Sequence, residues 1–370
     1  MKYHQTKDNI KFYKSPYFYL AILFAAISYY TRAVGVAMLF ALIVFFVFRK
    51  EWLPALSATV GIVLCLLPWQ LRNNYHHIHS RYFDTVMTVN PWRPEEGKIA
   101  SVGEFVDKMI TNLDDTTIKG FKQLLFPFLP VSNEPSGMMG WVFGLLVLGI
   151  IFWGAYNMGK FRWAMLAFLL GNLGVFMLWH GGNGTRYVTP IVPILFVCFY
   201  IGIDALFKVL VFKNKESKRS KYLPYAFLLM ILFNITPIKS QAKATKTAYP
   251  PAFVNYFNIA KELNKEPKNK EQVVVACRKP ELFAAYAPNV FTTRYIFSAN
   301  TDEVLQGLVN DSVDYVVLEQ LGYSSTGLYL YPCIQAHPDL FPIEKHLKMP
   351  DTYLLRFERK NAIELLNKND

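Results

Sequence analysis

Long apolar runs separated by short, mostly basic connectors occupy the first two-thirds of this chain, and an ordinary mixed pattern occupies the rest. Tyr17–Phe48 carries a single charge, Arg32. Leu53–Leu71, Met138–Tyr156, Trp163–Trp179, Val188–Phe207 and Leu223–Ile238 carry only one more, Asp204. A helix needs about 20 apolar residues to cross roughly 30 Å of hydrocarbon. Read as two short helices meeting at Arg32–Gly35, Tyr17–Phe48 brings the expected number of spans to about seven. Each half has only about 15 residues, or roughly 22 Å at 1.5 Å per residue, so the tip of this hairpin should lie below the outer surface. The fold class expected is an α-helical polytopic membrane protein over 1–240, followed by a small soluble α/β domain over 241–370.

The tail changes period repeatedly. Pro251–Leu263, Pro280–Ala287, a stretch capped at Asn300 and reaching Leu308, and Gly327–His337 read as helices. The β-branched run Gln272–Cys277 and the runs Val290–Thr293, Val313–Leu318 and Thr352–Phe357 read as strands. That alternation predicts an α/β layer domain. It contains no glycine-rich phosphate loop and no GxSxG elbow, so no cofactor site is expected there. The segment 73–137 between the third and fourth spans is also patterned. Ser101 and Glu104 have capping-box spacing ahead of the periodic residues Val102, Phe105, Val106, Met109, Ile110 and Leu113. Ile118, Phe121, Leu124, Leu125 and Phe128 form a second amphipathic stretch, ended by Pro127 and Pro130. It suits either the lipid interface or the surface of the bundle.

Charge then orients the chain. The formal net charge is +12, with 53% hydrophobic and 16% aromatic residues. Without basic–aromatic recognition motifs, that charge argues for lipid phosphates and topology rather than nucleic acid. Lys2, Lys7, Lys11 and Lys14 precede the first span, and Arg49 and Lys50 end the second. Lys160 and Arg162 join the fourth and fifth, and Lys213 to Lys221 join the sixth and seventh. The positive-inside rule then puts the N-terminus in the cytoplasm and segment 73–137, the short loop His180–Tyr187 and the tail outside, in an inner (plasma) membrane. Lys2–Lys14 leads into apolar sequence without a small-residue cleavage site, so no cleavable signal peptide is expected. Cys65 and Cys198 sit in apolar runs. Cys277 and Cys333 lie in the tail, where either a disulfide or free thiols fit.

Three arginines are candidates for chemistry. Arg32 interrupts the first apolar run, Arg72 ends the third span in PWQLRN, and Arg186 opens the sixth in GTRYVTP. All three fall at the outer face, where a planar guanidinium suits phosphate oxygens and charge is costly without a role. One shared lipid phosphate or diphosphate would account for all of them. Snorkelling to headgroups is the alternative. Gly181, Gly182 and Gly184, with Pro190 and Pro193, shape the entry to the sixth span. A glycosyl transfer needs a carboxylate base. The outer candidates are Asp84, Glu95, Glu96, Glu104, Asp107, Asp114 and Asp115, none in a motif, so no catalytic residue is assigned. Asp114-Asp115 is the best divalent-metal candidate. His76, His77 and His79 lack matching ligand spacing.

The stretches SYYTRAVGVAMLFALIVFFVFRKEW, LPWQLRNNYH and GNGTRYVTPIVPILFV resemble the later half of bacterial GT-C-type glycosyltransferases. Similar enzymes are the protein O-mannosyltransferases and the lipid-A aminoarabinose transferase. Two tail stretches, VVVACRKPELFAAYAPNV and VDYVVLEQLGYSSTGLYLYPCIQAHPDLF, resemble the extracytoplasmic domain of the same group. The resemblance implies inverting transfer of a sugar from a polyprenyl-phosphate donor to an extracytoplasmic lipid, glycan or protein. It implies that Arg186 and Tyr187 face the donor phosphate and that Arg32 and Arg72 line the same cavity. The family's catalytic aspartate sits in a first external loop without a counterpart here. The expectation is therefore a C-terminal part of such an enzyme, with a missing N-terminal half or a partner subunit. The alternative is a non-catalytic accessory membrane subunit whose soluble domain binds a partner or glycan.

Overall fold

The structure, a computed structural model, describes residues 12–75, 82–126, 128–129, 134–179, 184–210, 225, 228, 232, 235–265 and 273–369. It forms two compact units, one of residues 1–87 and 99–243 and the other of residues 88–98 and 244–370.

The first unit is helical. Helix α1 (Pro16–Thr31) and α2 (Val36–Val47) meet at an elbow where Arg32 is extended (φ −155°, ψ 140°). The elbow is tight, because a Cβ on Gly35 would lie 2.2 Å from the Ser28 carbonyl oxygen. Then follow α3 (Trp52–Tyr75), α4 (Tyr82–Met87), α5 (Val102–Leu113), α6 (Lys119–Leu125), α7 (Met138–Tyr156), α8 (Arg162–Leu178), α9 (Gly184–Val188), α10 (Val192–Leu210) and α11 (Ile235–Ala244). Among the described residues, four helical stretches are long and apolar enough to cross a membrane: Trp52–Tyr75, Met138–Tyr156, Gly159–Leu178 and Thr185–Val209. Pro16–Thr31 and Ala33–Val47 are apolar but shorter. The expected seventh span, Leu223–Ile238, lies in part outside the described residues, and the basic connector 213–221, Pro127 and Pro130 lie outside them altogether. Side chains such as Phe24, Leu53, Leu64 and Leu146 are more than half exposed. Water would penalise so much contiguous apolar surface, and lipid would not.

Packing within this unit relies on small residues. On α7, a Cβ added to Gly154 would lie 1.7 Å from the Cys198 carbonyl oxygen of α10, and one on Gly202 would lie 2.1 Å from that of Ile150. Backbones that approach this closely gain van der Waals contact that bulky residues would forbid. Helices α2 and α8 pair in the same core. The capping box forms with one change: Ser101 Oγ accepts from Glu104 N–H at 3.2 Å, while Glu104 Oε2 accepts from Ala100 N–H rather than from Ser101. The second amphipathic stretch packs on the bundle, because Ile118, Phe121 and Leu125 are buried, the last two in the core shared with α7 and α8. Phe128 at its end stays exposed.

The second unit is a three-layer α/β/α domain. It comprises α12 (Pro251–Leu263), β1 (Val274–Ala276), α13 (Pro280–Ala284), β2 (Phe291–Thr293), α14 (Thr301–Asn310), β3 (Tyr315–Leu318), α15 (Tyr331–Ala336), β4 (Ile343–Leu347), β5 (Thr352–Arg356) and α16 (Arg359–Asn369). The sheet order is β2-β1-β3-β5-β4, parallel from β2 to β3 and antiparallel beyond. Successive strand residues face opposite layers. Val275, Val317 and Leu354 pack with α12 and α13, whereas Ala276, Val316 and Leu355 pack with α14, α15 and α16. Strand β4 and α16 are absent from the elements read in the sequence. Cys277 lies in one of these layers and Cys333 in the other, both free and buried. The sheet between them rules out the disulfide considered above, and burial pushes each thiol up to about 12. Residues 88–98 belong here too. Tyr329 Oη donates to Glu95 Oε2 at 2.6 Å, and the Trp92 ring lies beside Phe297 and Arg278.

Candidate functional site

The first unit has two chemically distinct ends. At one, Phe18 meets Phe46 and Phe48 stacks on Trp163 at 4.5 Å, which gathers Lys14, Arg49, Lys50, Lys160 and Arg162 with an aromatic rim. At the other lie the α1–α2 elbow, the end of α3 and the entry to α10. The entry is built by a break: α9 runs from Gly184 to Val188, a 3₁₀ turn starts at Thr189 with Pro190, and α10 follows. Val188 is fully buried and anchors α9, leaving Arg186 exposed and Tyr187 half-buried.

Here two of the predicted residues meet. The Arg32 guanidinium lies over the Tyr187 ring at 5.8 Å. Tyr187 Oη accepts from Trp179 Nε1–H at 3.2 Å, and the Trp179 ring is 5.7 Å from Tyr82. Arg72 instead lies over Trp69 at 5.2 Å. Trp69 packs edge-on to Tyr30, two residues before Arg32, and the Tyr30 hydroxyl donates to the Cys65 carbonyl one turn before Pro68. The structure thus joins Arg32 to Tyr187 and places Arg72 on a neighbouring aromatic pair, with no direct contact from Arg72 to either. Arg32, Arg72 and Arg186 are all exposed, and none makes a hydrogen bond or ion pair with the described residues. Tyr30, Trp69 and Trp179 were not singled out in the sequence, although Trp69 stands three residues before Arg72.

The helix α9 packs on a π-helical turn, Asp114–Ile118, and on α6. Such turns concentrate at functional sites. This one buries Asp114, Thr116 and Thr117. Asp114 Oδ2 accepts from Ser136 N–H at 2.8 Å and lies 3.4 Å from Lys119 Nζ, while its Oδ1 has no partner among the described residues. Asp115 pairs with the same lysine at 2.9 Å. Among the described residues no group of three His, Cys, Asp or Glu side chains is arranged to hold a metal. Lys119 Nζ thus lies within ion-pair distance of both aspartates. His76, His77, His79, Gly181 and Gly182 lie outside the described residues. Asn112 is buried, donating to the Met177 carbonyl at 2.9 Å.

Along α1 and α3 runs an apolar groove of about 1000 Å³, lined by Phe18, Ile22, Leu23, Val60 and Leu64 and reaching Cys65. It therefore extends from the lysine-rich end toward the Tyr30–Cys65 hydrogen bond. Comparison of the chain with models of protein families, with curated proteins and with solved structures gave no match.

Proposed function

We propose that the chain is a GT-C-like membrane glycosyltransferase unit that takes a sugar from a polyprenyl-phosphate donor and delivers it to an extracytoplasmic lipid, glycan or protein. It crosses the inner membrane seven times, with a cytoplasmic N-terminus and the α/β domain outside. The observation that carries this reading is the meeting of Arg32 with Tyr187. Two segments far apart in sequence supply an exposed cation and a ring at one end of the bundle, next to Arg186, which has no partner among the described residues. The arginines would hold the donor phosphate through charge-assisted hydrogen bonds. The apolar groove between α1 and α3 would take part of the prenyl chain. The collection of Lys14, Arg49, Lys50, Lys160 and Arg162 at the opposite end supports the orientation.

The test is binding of undecaprenyl phosphate to the chain in lipid nanodiscs. Arg186→Ala is expected to weaken it roughly ten- to hundredfold; unchanged binding would overturn the reading. Orientation is checked separately by cysteine labelling, with Ser217 expected inside and Val102 and Glu281 outside. Val102 suits the probe because its side chain is exposed. A cytoplasmic Glu281 would invert the topology. The second reading, an accessory subunit whose soluble domain binds a glycan or partner, is favoured by the polar cavity in that domain. It predicts no turnover of a radiolabelled polyprenyl-phosphate sugar, even with the donor bound.

A further inference from the structure

The α/β domain has an opening of the kind that binds ligands in open sheets: outside the carboxyl ends of parallel strands, where neighbouring connections leave in opposite directions. The chain leaves β1 toward β2 on one side and leaves β3 toward β5 and β4 on the other. Arg278 follows β1 and Glu319 follows β3, so both lie at this edge. Each is at least 95% buried, unusual for charged side chains and costly unless they are held. Glu319 Oε1 accepts from Thr326 Oγ1–H at 2.6 Å, its Oε2 accepts from Leu321 N–H, and Thr326 Oγ1 in turn accepts from Tyr295 Oη–H at 3.1 Å. Arg278 Nε donates to Ser325 Oγ at 2.5 Å, and its Nη1 is buried without a partner among the described residues.

Next to this network is a cavity of about 520 Å³ whose walls include Glu319, Gln320, Tyr323, Tyr331, Asp351 and Tyr353. That volume is within the range of small-molecule sites. The lining combines carboxylate and amide groups with three tyrosines. The charges around it offset one another. The Arg278 guanidinium lies 4.8 Å and Lys279 Nζ 4.6 Å from the Tyr323 ring centroid, and His346 Nε2 is 2.8 Å from Asp351 Oδ1. A strongly anionic or cationic ligand would therefore meet charge of its own sign at close range. A neutral polyhydroxyl ligand would not: its hydroxyls can donate to Glu319 and Asp351 and accept from Gln320 and Tyr331, and its C–H faces can rest on tyrosine rings.

We infer that this cavity is a saccharide-binding site for a neutral mono- or disaccharide unit. It is read from the second unit alone and holds whether or not the first unit transfers sugar. Tyr331 and Asp351 are exposed members of the wall, so changing them should leave the fold intact. The experiment presents the full chain in nanodiscs to glucose, galactose, mannose, N-acetylglucosamine, maltose and chitobiose. Saturation-transfer NMR finds binders, and titration of the tightest measures affinity. At least one sugar is expected to bind, with Tyr331→Ala and Asp351→Asn each weakening it about tenfold or more and Tyr249→Ala, outside the cavity, leaving it unchanged. The inference is overturned if no sugar in the panel binds, or if the bound sugar is indifferent to both wall variants. It is overturned equally if tetramethylammonium or inorganic phosphate competes for the same wall residues more strongly than any sugar.

Discussion

Removal of the Arg32 guanidinium separates a phosphate-binding role from a purely structural one. Among the described residues its one partner is the Tyr187 ring, and the 5.8 Å separation is near the ~6 Å limit for a cation–π contact. At an exposed position such a contact is worth about 0.5–1 kcal/mol. If holding that ring were all Arg32 did, Arg32→Ala and Tyr187→Ala would cost the same, roughly two- to fivefold in any affinity that depends on the pair. A guanidinium that also hydrogen-bonds a phosphate loses about 1.5–3 kcal/mol on truncation, or roughly ten- to hundredfold. The proposed donor site therefore predicts an order: Arg32→Ala worst, Arg32→Lys intermediate because it keeps charge but not the bidentate fork, and Tyr187→Ala mildest. Tyr187→Phe, which keeps the ring and loses only the Trp179 hydrogen bond, should resemble the parent. The assay is titration of undecaprenyl phosphate into nanodisc-embedded chain, with thermal unfolding followed in parallel. If folded Arg32→Ala binds within twofold of the parent, or no worse than Tyr187→Ala, the phosphate role is refuted.

Other outcomes follow from particular contacts. Gly154→Ala should lower thermal stability by the equivalent of about 1–3 kcal/mol by driving a methyl into the Cys198 carbonyl. Gly149→Ala on the same helix meets nothing within 4 Å and should be neutral or slightly stabilising, so equal effects would contradict the α7–α10 packing. The Tyr329 hydrogen bond holds the Glu95 carboxyl below the usual carboxylate range. Its contribution is thus present above the unfolded value and lost as pH falls through the lowered one. Hydrogen-exchange protection of residues 88–98 should fall on acidification and depend less on pH in Tyr329→Phe; identical profiles would rule the contact out. Cys277 and Cys333 should resist a membrane-permeant alkylating reagent until the chain is denatured and then react fully without reductant. Intact denatured chain that stays unlabelled would reveal a disulfide. In a membrane preparation with sugar-transfer activity, Asp114→Asn should lower turnover about a hundredfold or more and Asp115→Asn far less. Equal, small effects would remove the π-turn from catalysis.

Much of the tail was legible because its signals are local. The apolar runs around Val275, Val316 and Leu355 are strands whose successive residues face two buried layers, and Asn300 caps its helix as its position suggests, accepting from Asp302 N–H. Strand β4 was not legible. Ile-Glu-Lys-His-Leu reads as polar because it is an edge strand, where charges guard against pairing with other chains. Helix α16 is hidden by the same cause, a mostly charged surface with few inward residues such as Ala362. Among the site residues, Arg32 and Arg186 announced themselves as charges in apolar surroundings. Tyr187 was marked only through the resemblance, and Trp179, which donates to it, looked like an ordinary member of an aromatic-rich chain, since nothing local marks which rings will meet. The assignment of residues 88–98 to the second unit depends on Glu95 finding Tyr329 across more than 200 positions, and no sequence period encodes such a pairing.

The candidate carboxylates of segment 73–137, equivalent in sequence, differ sharply once folded. Glu104 satisfies a helix N-terminus, Glu96 pairs with Arg93 at 3.4 Å, and Glu95 accepts from Tyr329. Each of these is a structural use of one carboxylate oxygen. Asp114 is of another kind. It is buried, one oxygen is tied down by Ser136 N–H and Lys119, and the other has no partner among the described residues. A half-held carboxylate has a fixed orientation and a remaining acceptor, the combination a general base needs. It sits in a π-helical turn packed against the helix that carries Arg186 and Tyr187, so the site proposed for the donor phosphate and this acceptor belong to adjoining elements. Lys119, by neutralising Asp115 and half of Asp114, lets two adjacent acids coexist there at tolerable cost. If the first unit transfers sugar, Asp114 is the carboxylate whose surroundings fit that task.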